Sequence, residues 1–174
     1  MELRLHLHRW QRREPDWLAA AVSGFAAGAV LMVLELLWAA AMSSAGPWRI
    51  SQLIAALVLG TGILQPSDAG GFSVGVVAVA LVIHYAAGVV FGMAAAVIGA
   101  GYHYDRSPAA MAAMGAVFGA VLYVFSFHVA TLVFPWLAEL RGWSTFAAHL
   151  IFGVTGALMY CQLARRPASF QRGH

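Results

Sequence analysis

The stretch from Val74 to Ala100, VGVVAVALVIHYAAGVVFGMAAAVIGA, contains no Asp, Glu, Lys or Arg. It exceeds the roughly 20 predominantly apolar residues that an α-helix needs to cross a hydrocarbon core at about 1.5 Å per residue. In lipid the backbone must pair its N–H and C=O groups within the segment, so such a run is helical. Three more stretches share this reading: Trp17 to Met42, Ala109 to Phe134 and Thr145 to Ala164. A fifth, Ser51 to Leu64, is apolar but short and carries Gly60 and Gly62. It reads as an interfacial or re-entrant helix between the first and second spans. The predicted fold is therefore all-α: one transmembrane domain over residues 1–174, an integral membrane four-helix bundle.

Composition agrees. Hydrophobic residues make up 61% of the chain and charged residues 10%, against roughly 45 to 50% and 25% in soluble domains. The mean hydropathy is +0.77. The basic residues are all arginine, and they flank the spans instead of forming one soluble basic face. The pI of about 9.5 thus points to a lipid bilayer with anionic headgroups as partner and not to nucleic acid. Cys161 is the single cysteine, which excludes an intrachain disulfide and a thiolate metal cluster and leaves a packing role. The first apolar run is longer than a signal-peptide core of roughly 7 to 15 residues and contains Glu35, so it is expected to stay as an uncleaved span.

Orientation follows from the arginines, because acidic residues contribute little to topology. Four spans put Arg4, Arg9, Arg12, Arg13, Arg106, Arg165, Arg166 and Arg172 on one side and Arg49 and Arg141 on the other. The positive-inside rule then expects a bacterial-type inner membrane, with both termini and the Gly101 to Ser107 turn cytoplasmic. Segments Ser43 to Ser73 and Pro135 to Ser144 face outward. Trp10 and Trp17 fall at the inner interface of this layout, and Trp48, Trp136 and Trp143 at the outer one, the depth that amphipathic rings prefer. Pro108 opens the third span, where a missing N–H costs nothing. No internal repeat is visible.

Small residues recur four apart in three spans, as Gly24 and Gly28, Gly88 and Gly92, and Gly115 and Gly119; in the fourth, Gly153 and Gly156 are three apart. Such pairs let helix backbones approach closely in a medium where hydrophobicity does not drive association.

Four ionisable residues interrupt the spans: Glu35, His84, His128 and His149. Each is costly in hydrocarbon and is by default a candidate site. Counting from the span ends with alternating direction places all four in the outer half of the bilayer. Glu35 shares a helical face with Gly24 and Gly28, His84 with Gly88 and Gly92, and His149 with Gly153, Gly156 and Tyr160. His128 breaks the pattern, lying opposite Gly119 with Val117, Val121 and Thr131. Three imidazoles and a carboxylate in one layer can hold or relay a proton, ligate a transition metal through Glu35, His84, His128 and His149, or bind haem between paired histidines. Interhelical hydrogen bonding with no cofactor is the plainer alternative. His6 and His8 alternate with Leu5 and Leu7 and read as an interfacial segment, Tyr102 to Arg106 as a solvated turn, and Met32 as packing. No Gly-rich phosphate loop, GxSxG, HExxH or CxxC is present, so an enzyme is not expected.

From His84 onward the chain resembles a group of small bacterial inner-membrane proteins that includes YagU. The resemblance lies in His84, Tyr85 through Gly88, the glycine-bearing third span with His128, the outer loop Phe134, Pro135, Trp136, and the fourth span opening His149, Leu150 with Gly153 following. It implies four spans, a loose association with acid tolerance and no defined activity. The insertion between the first spans of that group is shortened here to Ser43 to Ser73. Two functional expectations result. The first is a proton-linked transport or metal-binding membrane protein. The second is a non-catalytic accessory or structural subunit, with its glycine faces used between chains of a larger complex or homo-oligomer.

Overall fold

A computed structural model describes residues 14–64, 71–104 and 107–164. Among these residues the chain is helical and has no strands. The arginines that set the expected orientation, Arg4, Arg9, Arg12, Arg13, Arg106, Arg165, Arg166 and Arg172, lie outside the described residues, as do His6, His8 and Trp10.

Helix α1 (Trp17–Met42) starts at Asp16, whose Oδ1 accepts the Ala19 N–H at 2.9 Å, satisfying one of the unpaired amides of a helix start. Helix α2 (Arg49–Leu59) ends at Gly60, where φ is +82°, a conformation open to glycine at little cost. A 3-10 turn, Thr61–Leu64, follows. At 11 residues α2 is about 16 Å long, half the depth of a hydrocarbon core. Helix α3 is Val74–Gly101. Helix α4 (Pro108–Val124) is capped by Ser107, whose Oγ accepts the Ala110 N–H at 3.3 Å. Helix α5 is Trp143–Ala164.

The third span departs from the uninterrupted helix expected over 109–134. Beyond Val124 it widens into a π-helical turn at Phe125–Val129, then tightens into a 3-10 turn at Ala130–Leu132. The loop expected after it contains a further 3-10 helix, Pro135–Leu140. Counted through Leu132, this span, α1, α3 and α5 are four helices long and apolar enough to cross a membrane.

The packing is that of a protein dissolved in hydrocarbon. The buried core is largely small: Ala19, Ala20, Ala27, Ala96, Ala100, Ala148 and Ala157, with Ser23 and Gly24. Large apolar side chains face outward, among them Leu18, Val82, Val117 and Leu132, which is 83% exposed. Water would reverse this arrangement, whereas lipid tails solvate leucine as well as a core does, and backbone proximity becomes the source of cohesion.

The glycines supply that proximity. A Cβ built on Gly92 would lie 2.5 Å from the Gly24 Cα, and one on Gly88 would lie 2.9 Å from the Gly24 carbonyl oxygen. These contacts bring α1 and α3 together backbone to backbone. Helices α4 and α5 meet in the same way, Gly115 against Gly153 and Gly119 against the His149 carbonyl. Gly28 faces the His84 ring, and Gly156 faces Ala27 across the α1–α5 contact. Helix α1 thus packs against α3 and α5, and α4 packs against α5, while α3 and α4 scarcely touch.

The two ends are tied differently. Near the Ser107 end, the Tyr160 hydroxyl accepts the Asp16 N–H at 3.2 Å, joining α5 to the start of α1. At the other end, Arg49 holds Glu139 through Nε at 3.1 Å and Nη2 at 2.8 Å. There the Trp136 indole N–H also donates to the Leu53 carbonyl at 3.1 Å. These bonds fasten the 3-10 helix Pro135–Leu140 onto α2.

Candidate functional site

Beneath α2 and that 3-10 helix lies a cavity of about 280 Å³. Its polar lining comes from three separate helices, Glu35 from α1, His84 from α3 and His149 from α5, with Ser126 from the π turn. The walls are aliphatic and aromatic, with Phe91, Phe125, Phe127, Phe134 and Phe152 among them. Ile54 and Leu57 of α2, with Leu137 and Leu140, form the cover. The chamber contains no Arg or Lys.

Each imidazole is oriented by a backbone carbonyl. His84 Nε2 lies 2.8 Å from the Gly28 oxygen. That close approach is possible because residue 28 carries no side chain between the helices. His149 Nδ1 lies 2.8 Å from the Thr145 oxygen, one turn back on its own helix. A carbonyl oxygen only accepts, so in both pairs the ring nitrogen carries the proton and donates. The other nitrogen of each neutral ring, Nδ1 of His84 and Nε2 of His149, is then an acceptor. The His149 ring is also held edge-on by Phe127, with centroids 5.3 Å apart, and by Tyr123 at 6.0 Å. Among the described residues Glu35 has no basic partner, since the ion pair there is Arg49–Glu139.

Glu35 occupies a junction. It lines the chamber, a cleft of about 30 Å³ shared with His84, Met32 and Ser51, and a third cleft of about 230 Å³ with Trp38, Ser144 and Thr145. The last of these lies at the α2 end, where α5 begins.

His128 does not belong to this group. It is exposed and lines a separate cleft with Tyr123, Arg141, Trp143 and Phe146. The π turn is the reason. In it the Ala130 N–H reaches back five residues to the Phe125 oxygen, which changes the face presented by everything beyond. Val117 and Val121 stay exposed with His128, but Thr131 turns inward and is buried. Arg141 fills the disturbance: its Nε donates to the Phe127 carbonyl and its Nη2 to Thr131 Oγ1 at 2.7 Å.

The metal set of Glu35, His84, His128 and His149 is therefore not assembled. Among the described residues no group of three or more His, Cys, Asp or Glu side chains is placed to hold a metal ion. The chamber also falls just below the roughly 300 to 1,000 Å³ typical of ligand pockets, so it fits a small molecule and does not enclose a porphyrin. Met32 reaches only the neighbouring cleft.

Several contributors escaped sequence reasoning. Arg49 and Arg141 served there only to set orientation, yet one clasps the cover and the other satisfies a backbone carbonyl. The available signal was an arginine beside an apolar segment with an acidic residue, Glu139, in the facing loop. The aromatic walls gave none, because phenylalanine is equally at home facing lipid.

Fold and site together define a small polytopic helical membrane protein with a polar-centred, aromatic-walled chamber in one half of its bundle. No protein-family model, curated protein or solved structure matches the chain.

Proposed function

We propose that this protein is a proton-linked transport protein of a bacterial-type inner membrane, with both termini cytoplasmic and Glu35, His84 and His149 as its working groups. The observation that carries the reading is the position of Glu35. It is a carboxyl without a basic partner, shared by the chamber and by a cleft that extends toward the end expected to face outward. A lone ionised carboxylate in an apolar chamber is costly, so proton exchange there is coupled to whatever else occupies the space. His84 and His149 offer acceptor nitrogens from the opposite walls. The chain has no catalytic role in this reading, and its kinship with the YagU group is part of the same proposal. The accessory-subunit alternative needs glycine faces free for other chains, and those faces are filled by α1 against α3 and α4 against α5.

The test is infrared difference spectroscopy of the protein in lipid nanodiscs across a pH titration. The reading expects a carboxyl band that responds to bulk pH and disappears in Glu35→Gln. A band unchanged by the substitution would overturn it.

A further inference from the structure

We infer that the chamber binds a protonated amphipathic amine, and that the amine and the Glu35 proton replace one another. This rests on the proton-linked reading above and names the class of solute.

The argument begins with the polarity of the lining. Apart from the Ser126 hydroxyl, the side chains that offer hydrogen bonds are acceptors: the Glu35 carboxylate and, with their N–H groups already committed to Gly28 and Thr145, the second nitrogens of His84 and His149. An anion finds no basic side chain in the chamber, and a polyol finds too few donors. An ammonium N–H supplies what the site lacks, several donors and a positive charge. Phe91, Phe125, Phe127 and Phe152 present aromatic surface to such a cation, an attraction that strengthens where water is excluded. An apolar body on the amine matches the remaining walls.

The way in is lateral. Helices α3 and α4 scarcely touch, and Phe125 both lines the chamber and is 54% exposed on the bundle surface. A molecule already dissolved in the bilayer therefore reaches the chamber without lifting the α2 cover.

Charge balance defines the exchange. In the empty state the Glu35 O–H bond neutralises the carboxyl. On binding, that bond breaks, the proton leaves to water, and the ammonium ion becomes the counter-ion of the carboxylate. No electron transfer is involved, and the chamber is neutral before and after. The other titratable groups facing Glu35 are His84 of α3 and His149 of α5; α2, α4 and the 3-10 cover contribute none to the lining. Arg49 and Glu139 are paired with each other and do not line the chamber.

The probe is 1-naphthylmethylamine, with the neutral 1-naphthylmethanol and the anionic 1-naphthylacetate as controls. Each is titrated calorimetrically into the full chain in zwitterionic nanodiscs, with empty nanodiscs subtracted, in two buffers of different protonation enthalpy. The expected result is saturable amine binding that releases one proton and tightens as pH rises while the amine stays protonated. Both controls bind at least tenfold more weakly. Glu35→Gln abolishes proton release and weakens amine binding at least tenfold, and Glu35→Asp restores the release, which separates loss of the carboxyl from loss of the fold. Equal binding of the alcohol, unchanged proton release in Glu35→Gln, or no saturable amine binding would each overturn the inference. If the infrared band of Glu35 still follows pH in that last case, only the solute class has failed; if it does not, the proton-linked reading has failed too.

Discussion

Replacing Gly24 by Ala tests the idea that backbone proximity holds the bundle together. A Cβ there would lie 2.9 Å from the Gly92 Cα and 3.2 Å from the Gly88 carbonyl carbon, and closer still to the Gly88 oxygen. Carbon atoms prefer separations of about 3.5 to 4.0 Å. The obstructing atoms are backbone and cannot rotate aside, so α1 and α3 must part by roughly 0.5 to 1 Å. A gap of that size forfeits about a quarter to a half of each dispersion contact along the crossing, and overpacking of this kind costs about 1 to 3 kcal/mol. Alanine returns about 0.5 to 1 kcal/mol through its better helix propensity. The net expectation for Gly24→Ala is a loss of about 1 to 2 kcal/mol. Gly28 is the internal control: its added Cβ would sit 3.7 Å from the Gly88 Cα and 3.9 Å from the His84 ring, ordinary contact distances. Gly28→Ala is therefore neutral or slightly stabilising. Reversible unfolding in mixed micelles, read by helical circular dichroism against the mole fraction of denaturing detergent, separates the two variants. Equal stability of Gly24→Ala and Gly28→Ala would refute the reasoning.

Other consequences are open to measurement. Arg141→Met strands the buried Phe127 carbonyl and should cost about 1 to 3 kcal/mol, whereas His128→Ala, at an exposed position, should stay within about 0.5 kcal/mol; thermal unfolding of the two variants decides. The Arg49–Glu139 clasp is worth at most about 1 kcal/mol, because Glu139 is half exposed. Glu139→Gln should leave global stability nearly unchanged while hydrogen exchange of the α2 amides accelerates, and protection equal to wild type would show that the clasp does not hold the cover. For topology, Cys161 is buried and gives little background with a membrane-impermeant maleimide. Ala45→Cys should label in intact cells and Ser107→Cys only after permeabilisation; the opposite pattern would invert the expected orientation.

The boundaries of the membrane helices follow from composition, because hydrocarbon length and backbone pairing leave a chain few options. Asp16, Ser107 and Pro108 mark helix starts, and the apolar runs between them are long enough to leave no other reading. Helical periodicity also put Glu35, His84 and His149 on faces with small residues, since a costly group and a close-approach residue both turn toward neighbouring helices. Periodicity assumes an unbroken helix, however, and it could not reveal the π turn that separates Thr131 from His128. That turn depends on Arg141, which reaches the freed Phe127 carbonyl from ten or more residues further along the chain. The cover over the chamber is equally non-local: Arg49 meets Glu139 and Trp136 meets Leu53 only once α2 and the 3-10 helix have docked. Helix identity is local here because each helix satisfies its own hydrogen bonds. The company kept by Glu35 was decided by the tertiary structure, since it depends on which backbones come close enough to touch.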